Sequence, residues 1–199
     1  MIYENIQEEL QILKQLPEPV VTWFRANKRE LPWRDHPDAY RVWVSEIMLQ
    51  QTRVEAVKSY YQRFLEALPD VKALAEAEED QLLKLWEGLG YYNRVRNMQK
   101  AATQIMVDYG GEFPQTYEEI LSLTGIGSYT AGAISSFAFG LAKPAVDGNV
   151  LRVISRITGS DRDIMKQSVR KRMETLLEQV IPADASSDFN QGLIEMGAI

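Results

Sequence analysis

Glu46 lies in Val42-Trp43-Val44-Ser45-Glu46-Ile47-Met48-Leu49-Gln50-Gln51-Thr52, a nearly all-apolar, helix-forming run. At helical spacing its neighbours are Trp43, Leu49 and Gln50. Apolar surroundings disfavour the charged form of a carboxyl, so such a group can hold a proton near neutral pH and act as a general acid. The plainer reading is a glutamate on a helix surface. Asp147 stands between Val146 and Gly148-Asn149. It reads either as a turn or helix-cap aspartate, or as a carboxylate facing a sugar that becomes cationic. Together the two would make a site of the kind that hydrolyses glycosidic bonds. One carboxyl protonates the leaving group, and the other stabilises or captures the oxocarbenium ion. Gln50, Gln51 and Thr52 add an uncharged hydrogen-bonding edge suited to touching bases.

The element that must position these groups is Leu123-Thr124-Gly125-Ile126-Gly127-Ser128-Tyr129-Thr130-Ala131-Gly132. A helix-forming run from Tyr117 to Leu123 stops at Gly125, and a second run from Ala131 to Phe139 starts just after Gly127. Two glycines at this spacing let the chain reverse tightly between two helices, because glycine reaches positive φ without steric cost. The second helix then offers free backbone N–H groups to a phosphate, and Gly125 and Gly127 leave room for a DNA backbone to approach. An ordinary helix–helix turn would look similar. Asp147 follows Gly127 by 20 residues.

Composition narrows the alternatives. A chain of 199 residues, 45% hydrophobic and 25% charged, is that of a folded globular protein with one large domain or two small ones. It has no run of eighteen apolar residues and no secretory signal, and reads as cytoplasmic, nucleoid-associated if bacterial. No cysteine is present, so there is no disulfide and no thiolate metal site, and the single histidine, His36, makes no metal centre alone. The net charge of -6 argues against non-specific coating of nucleic acid. Base is nevertheless clustered beside the motifs, at Lys28, Arg29, Arg34, Arg41 and Arg53, at Arg94, Arg96 and Lys100, and at Lys143, Arg152, Arg156 and Arg162.

Periodicity predicts an all-α protein with about ten helices and short connections. Helices are expected over 4–16, 20–27, 39–50 (capped by Asp38), 52–68, 71–75, 80–86 and 93–109. Pro17 and Pro19 are expected to end the first. Residues 28–35 read as a loop. After the hairpin come an irregular stretch over 144–148, a helix capped by Asn149 and ended by Gly159, and two last helices over 166–181 and 186–198. Two helical lobes with a cleft between them are predicted, one over 32–142 and one from 1–31 with 143–199.

The strings Leu31-Pro32-Trp33-Arg34, Trp43-Val44-Ser45-Glu46-Ile47-Met48-Leu49-Gln50-Gln51-Thr52, Gly88-Leu89-Gly90-Tyr91-Tyr92 and the hairpin with Asp147 resemble the MutY family of adenine DNA glycosylases, within the helix-hairpin-helix glycosylase superfamily. The resemblance covers nearly the whole chain, and the Ser-Glu-Ile-Met-Leu-Gln-Gln-Thr string is its most specific part. It implies base-excision repair of double-stranded DNA carrying adenine opposite 8-oxoguanine or guanine, by a monomer without membrane contact. By the resemblance, Glu46 protonates the adenine and later activates water, and Asp147 stabilises or bonds the sugar cation. Tyr129 and Asn149 hold Asp147 in place. Arg29, Leu31, Trp33 and Arg34 line the adenine pocket. Gln51 and Tyr91 wedge into the base stack, and Thr52 touches the 8-oxoguanine. Gly125, Gly127 and Ser128 hold the DNA backbone. These roles suit a base that must leave the stack to be reached.

In endonuclease III and other bifunctional relatives a lysine takes the place of Tyr129, and the next lysine here is Lys143. Without that amine a monofunctional glycosylase using water is expected. Family members also hold a 4Fe-4S cluster through four cysteines, the first expected just after Met196-Gly197-Ala198-Ile199, and carry a MutT-like domain beyond. The chain therefore reads as the catalytic part, truncated before the cluster, with no metal held by its own residues. Two alternatives stay open: an endonuclease III-like pyrimidine glycosylase and lyase, or a helix-hairpin-helix module that only binds DNA.

Overall fold

A computed structural model describes residues 6–199. Every regular element among them is helical. The helices are α1 (Ile6–Leu13), α2 (Pro17–Asn27), α3 (Ala39–Leu49), α4 (Val54–Ala67), α5 (Val71–Glu76), α6 (Glu79–Trp86), α7 (Asn93–Asp108), α8 (Tyr117–Ser122), α9 (Ser128–Phe137), α10 (Gly148–Thr158), α11 (Gln167–Glu178) and α12 (Ser186–Ala198). Residues 4 and 5, expected in the first helix, lie outside the described residues.

Three local expectations are corrected. Pro17 and Pro19 do not simply end α1; they open α2, whose first turn needs none of the N–H groups that proline lacks. The loop over 28–35 contains a short 3-10 turn, Pro32–Arg34. The cap of α10 is Asp147 and not Asn149, because the Asp147 carboxylate accepts from the Val150 N–H at 2.9 Å.

The chain divides into two compact units, Glu30–Ile134 and Met1–Arg29 with Ser135–Ile199. In Glu30–Ile134, α5 packs along α7 and α3 on α4. Asp38 caps α3 and Asp70 caps α5. The core holds Trp43, Phe64, Leu74, Trp86, Met98 and Ile105, all essentially without solvent exposure. Phe64 and Trp86 meet edge to face at 6.0 Å, and Trp43 and Phe113 at 5.6 Å. In the other unit α12 lies against both α2 and α10 around Leu13, Phe24, Ile154, Met173, Phe189 and Leu193. Glycine permits that closeness: a Cβ at Gly197 would stand 2.6 Å from the Asn149 Cβ. A part-buried pair, Arg172 to the buried Glu9 at 2.8 Å, ties α11 to α1.

The Tyr61 hydroxyl is buried and finds no hydrogen-bond partner among the described residues. Burial pushes its pKa from 10.0 up to about 12, the nearby Arg41 opposing the rise and Asp38 and Asp35 adding to it. A phenol with a raised folded-state pKa stabilises the fold fully below pH 10.0 and loses that contribution as pH climbs towards 12. Tyr61→Phe is expected to stay within about 1 kcal/mol of the wild type at pH 7. It should also lose less stability than the wild type between pH 10.0 and 12, as read by urea melts across that range. A variant that lost stability as steeply as the wild type would contradict this account.

Candidate active site

Glu46 sits on α3, where Val42 to Met48 are all buried, and its own side chain is in a residue only 6% exposed. The Tyr129 hydroxyl donates to the Glu46 Oε2 at 2.6 Å. The hairpin makes this meeting of residues 83 positions apart possible. Leu123 ends α8, and the Ile126 N–H returns to the Leu123 carbonyl at 3.1 Å. Gln104 on α7 accepts from the Thr124 N–H at 3.2 Å, fixing the turn to the helix behind it. Tyr129 is then the second residue of α9.

The two hairpin glycines do different jobs. Gly125 has φ 79°, and a Cβ there would meet the Asn97 Cβ at 2.8 Å. Gly127 is not at positive φ, and a Cβ there would meet nothing within 4 Å. Its carbonyl accepts from the Ala131 N–H at 2.9 Å to start α9. Gly125 therefore makes the reversal, while Gly127 leaves open space in front of the helix start beside Ser128.

Leu31 and Trp33 are buried, Trp33 meeting Tyr61 edge-on at 5.5 Å, and Arg34 is half-buried. Gln51 and Tyr91 have φ 60° and 48°, the two non-glycine residues at positive φ among those described. Both are exposed, Tyr91 by 68%. The Thr52 hydroxyl turns back to the Gln50 carbonyl at 3.4 Å.

In the other unit, Asp147 is held at both carboxylate oxygens. Oδ1 accepts from the Val150 N–H, and Oδ2 accepts from the Asn149 Nδ2 at 2.7 Å. The strand of backbone leading to it is pinned as well. Asn190 on α12 accepts from the Ala145 N–H at 3.0 Å and donates to the Lys143 carbonyl at 2.9 Å. Arg170 on α11 donates to the Val146 carbonyl. Gly197 backs Asn149, and its carbonyl accepts from the Arg152 Nη2 at 3.0 Å. The Arg29 guanidinium grips Glu195, 2% exposed, at 2.5 and 3.1 Å.

Sequence reasoning missed Asn190, Arg170 and Arg94. Asn190 carried one weak signal, an amide among the apolar residues of the last helix. In sequence Arg94 is one of the bases clustered beside the motifs; in the structure its guanidinium binds backbone carbonyls, and burial pulls its pKa down. Others of those bases are ion-paired, Arg96 with Glu79 at 3.0 Å and Lys143 with Glu178 at 2.6 Å.

A carboxyl buried among apolar side chains and touched by a phenol is equipment for general acid chemistry; in the other unit, a carboxylate locked at a helix start is equipment for stabilising a cation. Residues 44–179 match the family described as the HhH-GPD superfamily of base excision DNA repair proteins. The chain belongs to the HhH-GPD superfamily. Among curated members it is similar to an adenine DNA glycosylase of Buchnera aphidicola subsp. Acyrthosiphon pisum (strain APS), with 39% identity over 90% of this chain and 51% of the relative. It is 42% identical to an adenine DNA glycosylase of Homo sapiens over 90% of this chain and 34% of the relative. The chain thus spans about half the length of the Buchnera relative and about a third of the human one. Among solved structures it is similar to a thermostable thymine-DNA glycosylase, with TM-score 0.84, 28% identity, and 95% of this chain and 87% of that one covered.

No group of three His, Cys, Asp or Glu residues that could hold a metal ion occurs among the described residues, and the sequence has no cysteine. The residues present do not fit an iron–sulfur cluster.

Proposed function

We propose that this chain excises adenine from duplex DNA in which it is mispaired with 8-oxoguanine or guanine, by hydrolysing the N-glycosidic bond without cutting the strand. The observation that carries the reading is the pair formed by Glu46 and Tyr129, 2.6 Å apart. It supplies a buried acid on α3 and puts a phenol from the hairpin, not an amine, beside it. Similarity to adenine DNA glycosylases over 90% of the chain supports adenine as the base.

Glu46 gives its proton to the adenine ring. The C1′–N9 bond breaks, its electron pair leaves with the base, and the sugar becomes an oxocarbenium ion. Asp147, oriented by Asn149 and the Val150 N–H, supplies the negative charge that lowers the energy of that cation. Water adds to C1′ and returns a proton to Glu46. Leu31, Trp33, Arg29 and Arg34 would bound the adenine, and Thr52 would face the opposite base. The open space at Gly127 and the start of α9 at Ser128 would hold a phosphate that positions the duplex without reading it.

The test is a single-turnover reaction on duplexes carrying adenine opposite 8-oxoguanine, guanine or thymine. Strand breaks are expected only after alkali, fastest opposite 8-oxoguanine. Borohydride should trap no covalent adduct, since no amine stands where Tyr129 does. Strong trapping would instead identify a lyase, and duplex binding without any product would identify a binding module.

A further inference from the structure

Gln51 and Tyr91 adopt a left-handed backbone conformation that is strained for a residue with a side chain, and such strain persists only where the surroundings enforce it. Each stands one residue beyond a carbonyl held by the same side chain. From the start of α7, the Arg94 Nη1 donates to the Ile47 and Gln50 carbonyls at 2.8 and 2.7 Å. Its Nη2 donates to the Leu89 and Gly90 carbonyls at 3.0 and 3.2 Å. The guanidinium also lies 5.4 Å from the centre of the Trp86 ring and 5.6 Å from that of Tyr91. One planar cation therefore ties the end of α3, which leads into Gln51, to the turn that leads into Tyr91. All of these residues belong to the unit Glu30–Ile134.

The chemistry suits arginine alone. A guanidinium presents its donors in a rigid fork, so two pairs of carbonyls can be held at a fixed separation and angle. A lysine ammonium is a single point with three donors and cannot span both pairs. The carbonyls at the end of α3 also carry partial negative charge, which this part-buried cation offsets. Behind the fork lies a pocket of about 230 Å³ lined by Trp43, Gln50, Asn97 and Thr124, among others. The Trp43 Nε1 and Arg94 Nε are buried without partners among the described residues.

We infer that Arg94 is a positioning residue that locks Gln51 and Tyr91 into one rigid pair, so that extrusion of the target base depends on it although it touches no DNA. The inference rests on the proposed function and on the wedge role that the family resemblance implies for Gln51 and Tyr91. Filling the vacated stack requires both side chains at once, and a pair that moved independently would lose much of the energy needed to keep the base out.

The experiment compares the whole chain with Arg94→Lys. Hydrogen exchange of the free protein should speed up at least about ten-fold in peptides over 47–53 and 88–94 together, with α10 unchanged. With 2-aminopurine beside the mispaired adenine, the fluorescence rise on saturating binding should vanish in Arg94→Lys. Affinity for undamaged duplex should stay within about three-fold, and excision should slow about a hundred-fold. A residue with only a structural role would lower the melting temperature and the active fraction but leave the fluorescence rise per bound molecule intact, and that result overturns the inference. In the wild type itself, arginine side-chain NMR should show slow rotation of one guanidinium, assigned to Arg94. A freely averaging signal overturns the inference even if the variant does not fold. A wild type that leaves adenine in place on every duplex refutes the proposed function. A wild type that excises it, matched by Arg94→Lys in rate and fluorescence, refutes the inference alone.

Discussion

Glu46→Gln is expected to slow adenine excision about a thousand-fold, near the middle of the range for loss of a general acid. The substitution is nearly isosteric, and the amide oxygen can still accept from the Tyr129 hydroxyl that now reaches Oε2 at 2.6 Å. The packing around α3, where Trp43, Ile47 and Met48 are buried beside Glu46, is left alone. The melting temperature should therefore move by no more than a few degrees, and affinity for the duplex should hold. What disappears is the proton. The uncatalysed departure of a neutral purine must carry its full negative charge, and a glutamine cannot relieve it. Single-turnover rates at saturating enzyme make the measurement, with duplex binding as control. A variant retaining more than about a tenth of the wild-type rate would move the acid role elsewhere.

Asp147 allows a sharper separation, because it does structural and chemical work with the same carboxylate. Asparagine is as good a helix N-cap as aspartate, so Asp147→Asn should keep the bond from the Val150 N–H and change stability by only about 0.5 kcal/mol. Its charge is gone, however, and excision should fall about 100- to 1,000-fold for lack of an anion facing the sugar cation. Asp147→Ala removes the cap as well and should cost about 1 kcal/mol of stability on top of the same loss of rate. If Asp147 served only as a cap, the asparagine variant would excise at the wild-type rate and only the alanine variant would suffer. Denaturant melts and single-turnover rates on the same three proteins decide between these patterns.

Much of this was legible in local sequence because the signals are local. A carboxyl in an apolar helical run announces desolvation, and Gly125 between two helical runs announces a reversal. Asp147 before Gly148-Asn149 announces a helix start, although the sequence reading placed the cap two residues late. Either Asx residue could fill that role, and only the backbone course decides between them. The reading of Pro17 and Pro19 as terminators was incomplete for a related reason. Proline ends a helix it would sit inside, yet it opens one when it falls in the first turn.

What stayed hidden were the residues that act on carbonyls far along the chain. Arg94 reaches 47 positions back to Ile47, and Asn190 reaches 47 back to Lys143 and 45 back to Ala145. A backbone carbonyl has no identity in sequence, so a side chain that binds one leaves no motif. A partly buried arginine and a surface arginine also read alike until burial is known.

The sequence by itself determined the helical fold, the hairpin, and the residue types available for acid and cation-stabilising chemistry, because each follows from side-chain chemistry at short spacing. Only the tertiary structure decided that Tyr129 gives its hydroxyl to Glu46, that of the two hairpin glycines Gly125 takes positive φ and Gly127 does not, and that one guanidinium ties the segments carrying Gln51 and Tyr91. Those are contacts between distant stretches of chain, and their geometry exists only after the helices have packed.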